Sequence, residues 1–334
     1  MKIENKEHNF LKDGPFIIAE VGINHNGDVE LAKQTILKAH ECGASAVKLQ
    51  TFRADTMCSK NSPYYGLFKK CELSEIEIKT LNDLCDKLNI LLFTTVFDEW
   101  AVDAWMKFNP KLIKIASGDI THIPLIEYVA SKGIPIILST GGSSMKDIEV
   151  ALNTIYSQNK NQDIYILHCV SNYPTKPEET NLNCIQDIKN KFNLPVGFSD
   201  HTKGNIVSIS AIAFGASIIE KHFTLDQNFD GPDHKLSSNP EEFRKLVRDI
   251  NIAYLARGNK SKKPVEDENF IKEIRRSISA SVDIAKGSII DNSMIVIRRP
   301  GHGIQPKDIN VLLGSKVTRD IKAEEVIKWE YIEK

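Results

Sequence analysis

Two histidines follow neighbouring apolar runs of the sequence and could hold a metal ion. His201 comes directly after the run PVGFSD, and His222 lies in the next run, SIIEKHFT. If both runs form adjacent strands, about 4.8 Å apart, the two imidazoles can bind one divalent cation. Two nitrogen ligands leave coordination positions open, which suits a Lewis-acid site better than a closed structural site. The alternative, two hydrogen-bonded core histidines, stays open from the residues alone.

Two lysines lie inside apolar runs, where an unpaired charge is costly. Lys48 and Lys114 occur in AVKLQTF and LIKIAS, and serines end several similar runs. An ammonium group supplies a point charge for phosphate, and hydroxyl groups add hydrogen-bond donors. We therefore predict a site for a small phosphorylated anion; the alternative is that each lysine forms an internal ion pair. The hydroxyl groups of the predicted site belong to Ser117, Ser139 and Ser199.

Further polar residues occur at the ends of these runs. Glu220 lies two positions before His222, so both side chains share one face of a strand. Gln50 lies two positions after Lys48, so these two side chains also share one face of a strand. Asp233 follows the last run in the word GPD, where it could accept a hydrogen bond from a substrate hydroxyl or form a turn. The remaining candidates at strand ends are Glu20, Thr95, Ser171 and Tyr173.

Eight apolar runs alternate with longer segments of helical period. Each run is rich in Val, Ile, Leu, Phe or Thr, as buried parallel strands are. Eight such units predict an α/β protein with a (β/α)8 barrel, because a doubly wound sheet usually has fewer units and a glycine-rich dinucleotide turn. A barrel gathers the C-terminal ends of its strands, and so the polar residues above, at one face. The runs are 16–24, 46–52, 90–97, 112–117, 135–141, 164–170, 195–200 and 217–224.

The character of the sequence changes after residue 258. Residues 259–276 are polar and charged and are predicted to form a linker. From 277 to 334, short alternating runs are separated by turn-forming residues, which is typical of a small β-rich domain. We therefore predict a barrel domain over 1–258 and a β-rich domain over 277–334.

The composition excludes several classes of protein. The 334 residues carry 43 Lys and Arg against 44 Asp and Glu, whereas nucleic-acid-binding proteins usually show a basic excess. No apolar run approaches the ~18 residues that a membrane span needs. Residues 1–14 lack the apolar core of a signal peptide, and the six cysteines are scattered. A cytoplasmic protein with reduced thiols is therefore expected.

Nine short motifs follow one another along the chain: IAEVGINHNG, AVKLQTF, KIASGD, ILSTGG, HCVSNYPT, GFSDHT, IEKHFTLD, GPDH and IRRPGHGI. Together they resemble the sialic acid synthase family, which includes N-acetylneuraminate, legionaminic acid and pseudaminic acid synthases. The resemblance covers almost the whole chain after residue 15, and GINHNG is closer to the neuraminate and legionaminate branches. It implies a (β/α)8 barrel followed by a small antifreeze-like (SAF) domain.

The resemblance also implies an activity. Such enzymes condense phosphoenolpyruvate with an open-chain N-acetylated amino sugar, releasing phosphate and forming a nine-carbon 2-keto acid. A divalent metal, Mn or Mg, is held by the residues matching His201 and His222. The SAF domain is swapped in a homodimer, so that the arginine matched to Arg299 reaches the N-acetyl group in trans. The phosphoenolpyruvate contacts match Lys48, Thr95, Lys114, Ser117, Ser139, Ser199 and Glu220, and the sugar contacts match Glu20, Gln50, Tyr173 and Asp233.

Some positions depart from the family pattern or leave a choice. Ser171 stands where many members have Asn, with Asn172 beside it, and Arg298 is a rival to Arg299. Glu220, or else Glu20, is the candidate for moving protons. The sugar could be N-acetylmannosamine, its 6-phosphate or a 2,4-diacetamido-trideoxyhexose. An unphosphorylated sugar is favoured because no extra basic cluster accompanies the matched sugar residues.

Three other functions fit parts of the sequence. Another phosphoenolpyruvate-dependent 3-deoxy-sugar-acid synthase would share the chemistry but lack the C-terminal domain. A metal-dependent hydrolase barrel would need more His and Asp ligands at its strand ends. A non-catalytic binding protein would have no need of paired lysines and histidines there.

Overall fold

The strands of the first part of the chain form a closed parallel barrel in this computed structural model, which describes residues 14–258 and 261–333. In barrel order they are β1 (Phe16–Gly22), β2 (Ala46–Thr51), β3 (Leu91–Val96), β4 (Ile113–Ile115), β5 (Ile136–Ser139), β6 (Ile164–Cys169), β7 (Val196–Asp200) and β8 (Ile218–His222). β1 pairs with both β2 and β8, which closes the sheet. The predicted (β/α)8 fold is confirmed.

Helices connect these strands and cover the barrel. The eight segments with helical period all form helices, and two short helices, α2 and α3, lie between β2 and α4 where none was predicted. The helices are α1 (Val29–Glu41), α2 (Ala54–Met57), α3 (Tyr65–Cys71), α4 (Glu75–Leu88), α5 (Glu99–Met106), α6 (Ile123–Ser131), α7 (Met145–Gln158), α8 (Asn183–Phe192), α9 (Ile206–Ala213) and α10 (Pro240–Arg257).

Capping residues fix where the helices begin. Ser74 and Glu77 form a capping box at α4, in which the Ser74 hydroxyl accepts from the Glu77 N–H and the Glu77 carboxylate accepts from the Ser74 N–H. Asn239 caps α10, and Pro240 takes its first position, where a missing N–H costs nothing. Such a cap stabilises a helix by about 1 kcal/mol.

The strands are buried along nearly their whole length. Every residue of β1, β6, β7 and β8 is buried between the barrel interior and the helix layer. This two-sided burial explains why the strands appear in the sequence as continuous apolar runs. A charged residue in such a strand must therefore find a partner.

The chain divides into two compact units, Met1–Gly258 and Asn259–Lys334. The second unit contains α11 (Glu268–Ile274), β9 (Ser277–Ala280), β10 (Ile295–Arg298) and α12 (Ile309–Leu312). β9 and β10 pair antiparallel, with Ile278 opposite Ile297. Ile278 also belongs to a small apolar core of its own unit, together with Ile284, Ile290 and Ile327.

Helix α11 lies within 259–276, the segment expected to be a linker. Asp267 caps it by accepting hydrogen bonds from the N–H groups of Asn269 and Phe270. Two parts of the predicted segments lie outside the described residues: 259 and 260 of the linker, and 1–13, where no signal peptide was expected.

All six cysteines are free thiols. Within the described ranges, no helix combines the length and apolarity needed to cross a bilayer.

Candidate active site

A cavity of about 310 Å³ opens at the C-terminal ends of the barrel strands. The structure gathers around it nearly all the residues singled out in the barrel sequence, and Asp233 lies beside them. Arg299 belongs to the second unit. The predicted residues that line the cavity are Glu20, Lys48, Gln50, Thr95, Lys114, Ser117, Ser139, Ser171, Tyr173, Ser199, His201, Glu220 and His222.

Strand register explains this convergence. Glu20 of β1 is opposite Lys48 of β2 on one side and His222 of β8 on the other. Ser199 of β7 is likewise opposite Glu220 of β8. Because opposite residues in a sheet point to the same face, these side chains meet inside the barrel.

Both lysines are held in a buried network of carboxylates. Lys48 Nζ lies 2.7 Å from Glu20 Oε2 and 3.8 Å from Glu220 Oε2, and it donates to Thr95 Oγ1 at 2.9 Å. Lys114 Nζ lies 2.5 Å from Glu220 Oε1. The internal ion pairs considered from the sequence are therefore present, and they lie in the wall of the cavity where an anion would bind.

The hydrogen bonds of the network continue to polar neighbours. Ser199 Oγ donates to Glu220 Oε1 at 2.8 Å, and Gln50 Nε2 donates to Glu20 Oε1 at 3.0 Å. Ser139 Oγ is buried and has no hydrogen-bond partner among the residues that the structure describes. A buried hydroxyl without a partner is costly, so this group is suited to a substrate oxygen.

The two carboxyl groups differ in proton affinity. Burial raises the pKa of Glu20; the Lys48 ammonium group opposes this rise, and the nearby Glu220 carboxylate adds to it. Burial acts in the same direction on Glu220, but the ammonium groups of Lys114 and Lys48 outweigh it and hold the Glu220 pKa well below its ordinary value. Glu220 is therefore the permanent anion, and Glu20 is the carboxyl group that takes up a proton more easily.

The two imidazoles lie side by side at the edge of the cavity, with ring centres 5.5 Å apart. His201 Nδ1 donates to the Val170 carbonyl at 2.7 Å, which leaves its Nε2 as the unprotonated nitrogen. His222 Nδ1 is buried and has no hydrogen-bond partner within the described part of the chain; it lies 3.7 Å from Asp233 Oδ2. Burial lowers the pKa of both histidines, so both are neutral, the form that binds metals.

These features fit a metal ion with open coordination positions. Two neutral imidazoles offer nitrogen ligands, and the buried Nδ1 of His222 makes no hydrogen bond to any described residue. In the described parts of the chain, no group of three or more His, Cys, Asp or Glu residues is placed to hold a metal ion. Water or substrate would therefore complete the coordination.

Asp233 is both a turn former and a neighbour of the histidine pair. Its carbonyl accepts hydrogen bonds from the N–H and the hydroxyl of Ser237, and Asn24 donates to that same hydroxyl at 2.9 Å. Burial raises the pKa of the Asp233 carboxyl to about 6. The turn-forming interpretation of Asp233 is therefore present in the structure, and its contact with a substrate hydroxyl stays a prediction.

The choice between Ser171 and Asn172 is resolved by where each residue lies. Ser171 lines the cavity, whereas the amide of Asn172 donates to Glu179 Oε2 at 3.1 Å. Tyr173 stacks on His201 with ring centres 4.2 Å apart. Ser171 therefore occupies the position on the cavity wall, and Asn172 does not substitute for it.

Several lining residues were not predicted, among them Phe97 and Cys169. Each lies two positions from a predicted residue, Phe97 after Thr95 and Cys169 before Ser171, so alternation along the strand was the signal that could have found them. Cys169 Sγ lies 3.1 Å from Ser117 Oγ.

Gly141 is packed against this part of the wall. Its N–H donates to Ser117 Oγ at 2.9 Å. A Cβ atom at Gly141 would lie 2.3 Å from Ser171 Oγ and 2.9 Å from Cys169 Sγ, so a larger residue here would displace these two side chains of the cavity wall.

Other histidines of the barrel have structural roles. His168 of β6 places Nε2 2.7 Å from the Thr180 carbonyl. His25 is completely buried in the loop after β1, where its Nδ1 accepts from the Gly27 N–H at 3.1 Å. Burial lowers the pKa of His25 from 6.5 to about 4.

The buried His25 predicts a stability that falls in acid. Between pH 6.5 and about 4 the unfolded chain binds a proton at His25 that the folded protein does not, so the free energy of unfolding decreases as pH falls. His25 contributes a loss of about 2 kcal/mol between pH 7 and pH 5, at 1.36 kcal/mol per pH unit below 6.5. Urea unfolding of wild type and His25→Asn, which keeps an acceptor for Gly27, measures it. Equal losses in both proteins would contradict this assignment.

Arg298 and Arg299, both in the second unit, differ in their contacts and in their exposure to solvent. Arg298 is held by Glu324, with Nη1 3.2 Å from Oε1, and it donates to the Ala280 carbonyl. Arg299 is exposed at the end of β10. Arg299 is thus the arginine of the pair presented to solvent.

Comparison with known proteins identifies the family. The profile of the NeuB family matches residues 35–262, and that of the SAF domain matches residues 275–333. The chain belongs to the NeuB family. The resemblance to sialic acid synthases and the small C-terminal SAF domain are thereby confirmed.

Relatives of this NeuB family member match over nearly their whole length. It is 40% identical to N,N'-diacetyllegionaminic acid synthase of Legionella pneumophila, over 95% of this chain and 94% of that protein. It is 39% identical to the enzyme of the same name from Campylobacter jejuni, over 93% and 98% of the two chains. The crystal structure of sialic acid synthetase from Leptospira borgpetersenii, in complex with citrate, matches with a TM-score of 0.75 and 36% identity, over 77% of this chain and 90% of that chain. These relatives are synthases, which supports a biosynthetic enzyme.

Proposed function

We propose that the protein condenses phosphoenolpyruvate with an open-chain N-acetylated amino sugar to give a nine-carbon 2-keto acid and phosphate. The observation that carries this proposal is the shared cavity, in which two buried ammonium groups and several hydroxyls lie beside two neutral imidazoles. The relatives named as legionaminic acid and sialic acid synthases support this class of product.

The anion-binding side of the cavity suits phosphoenolpyruvate, which carries a carboxylate and a phosphate. Lys48 and Lys114 supply the positive charge, and Ser139 supplies a buried hydroxyl without another partner. Ser117 Oγ accepts a hydrogen bond from the Gly141 N–H, and when it also accepts from the Cys169 thiol its own hydrogen is free to bind an anion. These donors favour the phosphate as its negative charge grows on leaving.

The proposed reaction balances with one molecule of water. A carbon–carbon bond forms between C3 of phosphoenolpyruvate and the aldehyde carbon of the sugar, which leaves cationic character at C2. Water adds at C2, and cleavage of the bond between C2 and the phosphate oxygen releases phosphate and leaves the keto group. One proton of the water goes to the sugar oxygen, and the other goes to the phosphate.

The carboxyl groups have separate roles in this proposal. Glu220 stays ionised and holds Lys114 and Ser199 in place. Glu20, whose pKa is raised by burial, is the better group to hold and release a proton. This order reverses the preference for Glu220 drawn from the sequence, which could not show that both lysines pair with Glu220.

His201 and His222 are the residues that would hold a divalent metal, Mn or Mg. When bound, such an ion supplies Lewis-acid polarisation of the sugar carbonyl. Val170 orients His201 through its Nδ1. Two protein ligands suit this role better than that of a metal-dependent hydrolase, and the SAF domain disfavours a 3-deoxy-sugar-acid synthase of another family.

The test is phosphate release from phosphoenolpyruvate in the presence of Mn²⁺ and each candidate sugar. We expect release with N-acetylmannosamine or a 2,4-diacetamido-trideoxyhexose, and none with N-acetylmannosamine 6-phosphate, because among the described residues no further basic cluster lines the cavity. Omitting the sugar is the control, since the reaction needs both substrates. Absence of release with every sugar would contradict the proposed function.

We further propose a cytoplasmic, domain-swapped homodimer in which Arg299 of one protomer contacts the N-acetyl group of the sugar bound by its partner. Arg299→Ala is then expected to raise the KM for the sugar about tenfold or more, as loss of a charged hydrogen bond does, while the KM for phosphoenolpyruvate stays unchanged. Arg298→Ala is the matched variant, because Arg298 is engaged by Glu324. If only Arg298→Ala raised the KM for the sugar, Arg298 and not Arg299 would be the arginine that makes this contact.

A further inference from the structure

A second buried charge pair lies behind the strands that carry the two histidines. Asp200 precedes His201 at the end of β7, and Lys221 precedes His222 at the end of β8. Because alternate residues of a strand point to opposite faces, Asp200 and Lys221 point away from the cavity. They face the helix layer, where Ser208 of α9 donates a hydrogen bond to Asp200.

The pair is fully enclosed. Asp200 and Lys221 are each 1% exposed, and Lys221 Nζ lies 2.9 Å from Asp200 Oδ2. The two residues are direct partners across the ladder of β7 and β8. Neither lines the cavity, so the proposed reaction makes no use of them.

This pair also holds the turn that follows His201. Asp200 Oδ1 accepts from the N–H of Thr202 at 2.8 Å, and Lys221 donates to the carbonyl of Thr202 at 2.5 Å. The main chain immediately after His201 is thus bound by the pair through both polar groups of Thr202. The same lysine is the residue immediately before His222, so one network connects the backbone positions of both imidazoles.

Stability alone does not account for an ion pair at this position. The preceding outward-facing partners on the same two strands are Phe198 and Ile219, which are apolar. A buried ion pair is often no more stable than apolar side chains of similar volume, because desolvation offsets the attraction. What the charged pair adds over an apolar pair is its defined geometry and its bonds to Thr202.

We propose that Asp200 and Lys221 are positioning residues that fix the separation and orientation of His201 and His222. The inference rests on the proposed function in one respect, the assignment of a divalent metal to the two imidazoles. A displacement of about 1 Å at a catalytic group can lower a rate about 100-fold, so the turn after His201 must be held closely.

The Asp200→Asn/Lys221→Met double variant separates positioning from stability. Asn keeps an acceptor for Thr202, and Met fills the volume of the lysine stem, so no unpaired charge is left buried. We expect its Tm to stay within about 5 °C of wild type. Its affinity for Mn²⁺, measured by calorimetry without substrates, and its kcat are each expected to fall at least about tenfold.

A matched change at an exposed pair controls for the substitutions themselves. Lys79 and Asp83 form such a pair on α4, with Nζ 2.6 Å from Oδ2, so Lys79→Met/Asp83→Asn should leave Mn²⁺ affinity and kcat unchanged. Should the double variant unfold, Lys221→Arg keeps the charge and displaces the donors. If the pair positions the imidazoles, Lys221→Arg lowers the affinity of the protein for Mn²⁺. If the pair is merely structural, the affinity of this variant stays at the wild-type value.

The outcomes distinguish this inference from the proposed function. Wild-type Mn²⁺ affinity and kcat in the Asp200→Asn/Lys221→Met protein would overturn the positioning role. Wild-type protein that binds Mn²⁺ without releasing phosphate would contradict the proposed function, and the Mn²⁺ titration would still decide the role of the pair. Wild-type protein that binds no Mn²⁺ would overturn both.

Discussion

Replacing His222 by alanine is expected to lower kcat for phosphate release by about 1,000-fold or more. His222 offers a buried, unpartnered nitrogen beside His201, and only these two imidazoles are proposed to hold the metal. Loss of a group that merely orients a ligand typically costs 10–100-fold, so loss of one of two ligands costs more. The measurement is phosphate release at saturating substrates, together with Mn²⁺ titration of the protein alone.

Two controls make the His222 result specific. His40→Ala removes an exposed imidazole from α1 and should leave both readouts at wild-type values. Stripping wild-type protein of metal with a chelator should reproduce the His222→Ala loss, and added Mn²⁺ should restore wild-type protein alone. Full wild-type activity in metal-stripped buffer would refute the metal assignment.

The positions of the site residues could be predicted because, in a barrel, the order of strands along the sequence determines where the end of each strand lies. Each apolar run becomes a strand, and polar residues at its C-terminal end reach one face. A charged residue within a buried strand needs a partner or a ligand, so the sequence could single out Lys48, Lys114 and Glu220. Phe97 and Cys169 obey the same alternation but were missed, because an apolar side chain or a thiol at a strand end does not stand out from the core.

Pairing between distant residues could not be predicted. The sequence presented anion binding and internal ion pairing as alternatives for the lysines, whereas Lys114 pairs with Glu220 in the same cavity wall where we propose that the anion binds. Such contacts depend on which strands end at the same height in the barrel. The short helices α2, α3 and α11 also escaped prediction, because four to seven residues are too few for a helical period to be distinct.

Replacing Lys114 by methionine is expected to weaken phosphoenolpyruvate binding by about 100-fold or more. A hydrogen bond to a charged group contributes about 1.5–3 kcal/mol, and 1.4 kcal/mol corresponds to tenfold in affinity. The loss also leaves Glu220, whose Oε1 lies 2.5 Å from Lys114 Nζ, facing the bound anion without its main counter-charge. Sugar binding should change little, and calorimetry with each substrate separately measures both effects.

Attraction and repulsion at Lys114 can be separated with a second variant. Lys114→Met/Glu220→Gln removes both charges, so any part of the loss that comes from the exposed Glu220 carboxylate should be recovered, while the part from the missing ammonium group should remain. Lys111→Met, an exposed lysine just before β4, is the matched control and should bind phosphoenolpyruvate as wild type does. Complete recovery in the double variant would show that Lys114 only neutralises Glu220. A larger loss of sugar binding than of phosphoenolpyruvate binding in Lys114→Met would place the anion elsewhere in the cavity.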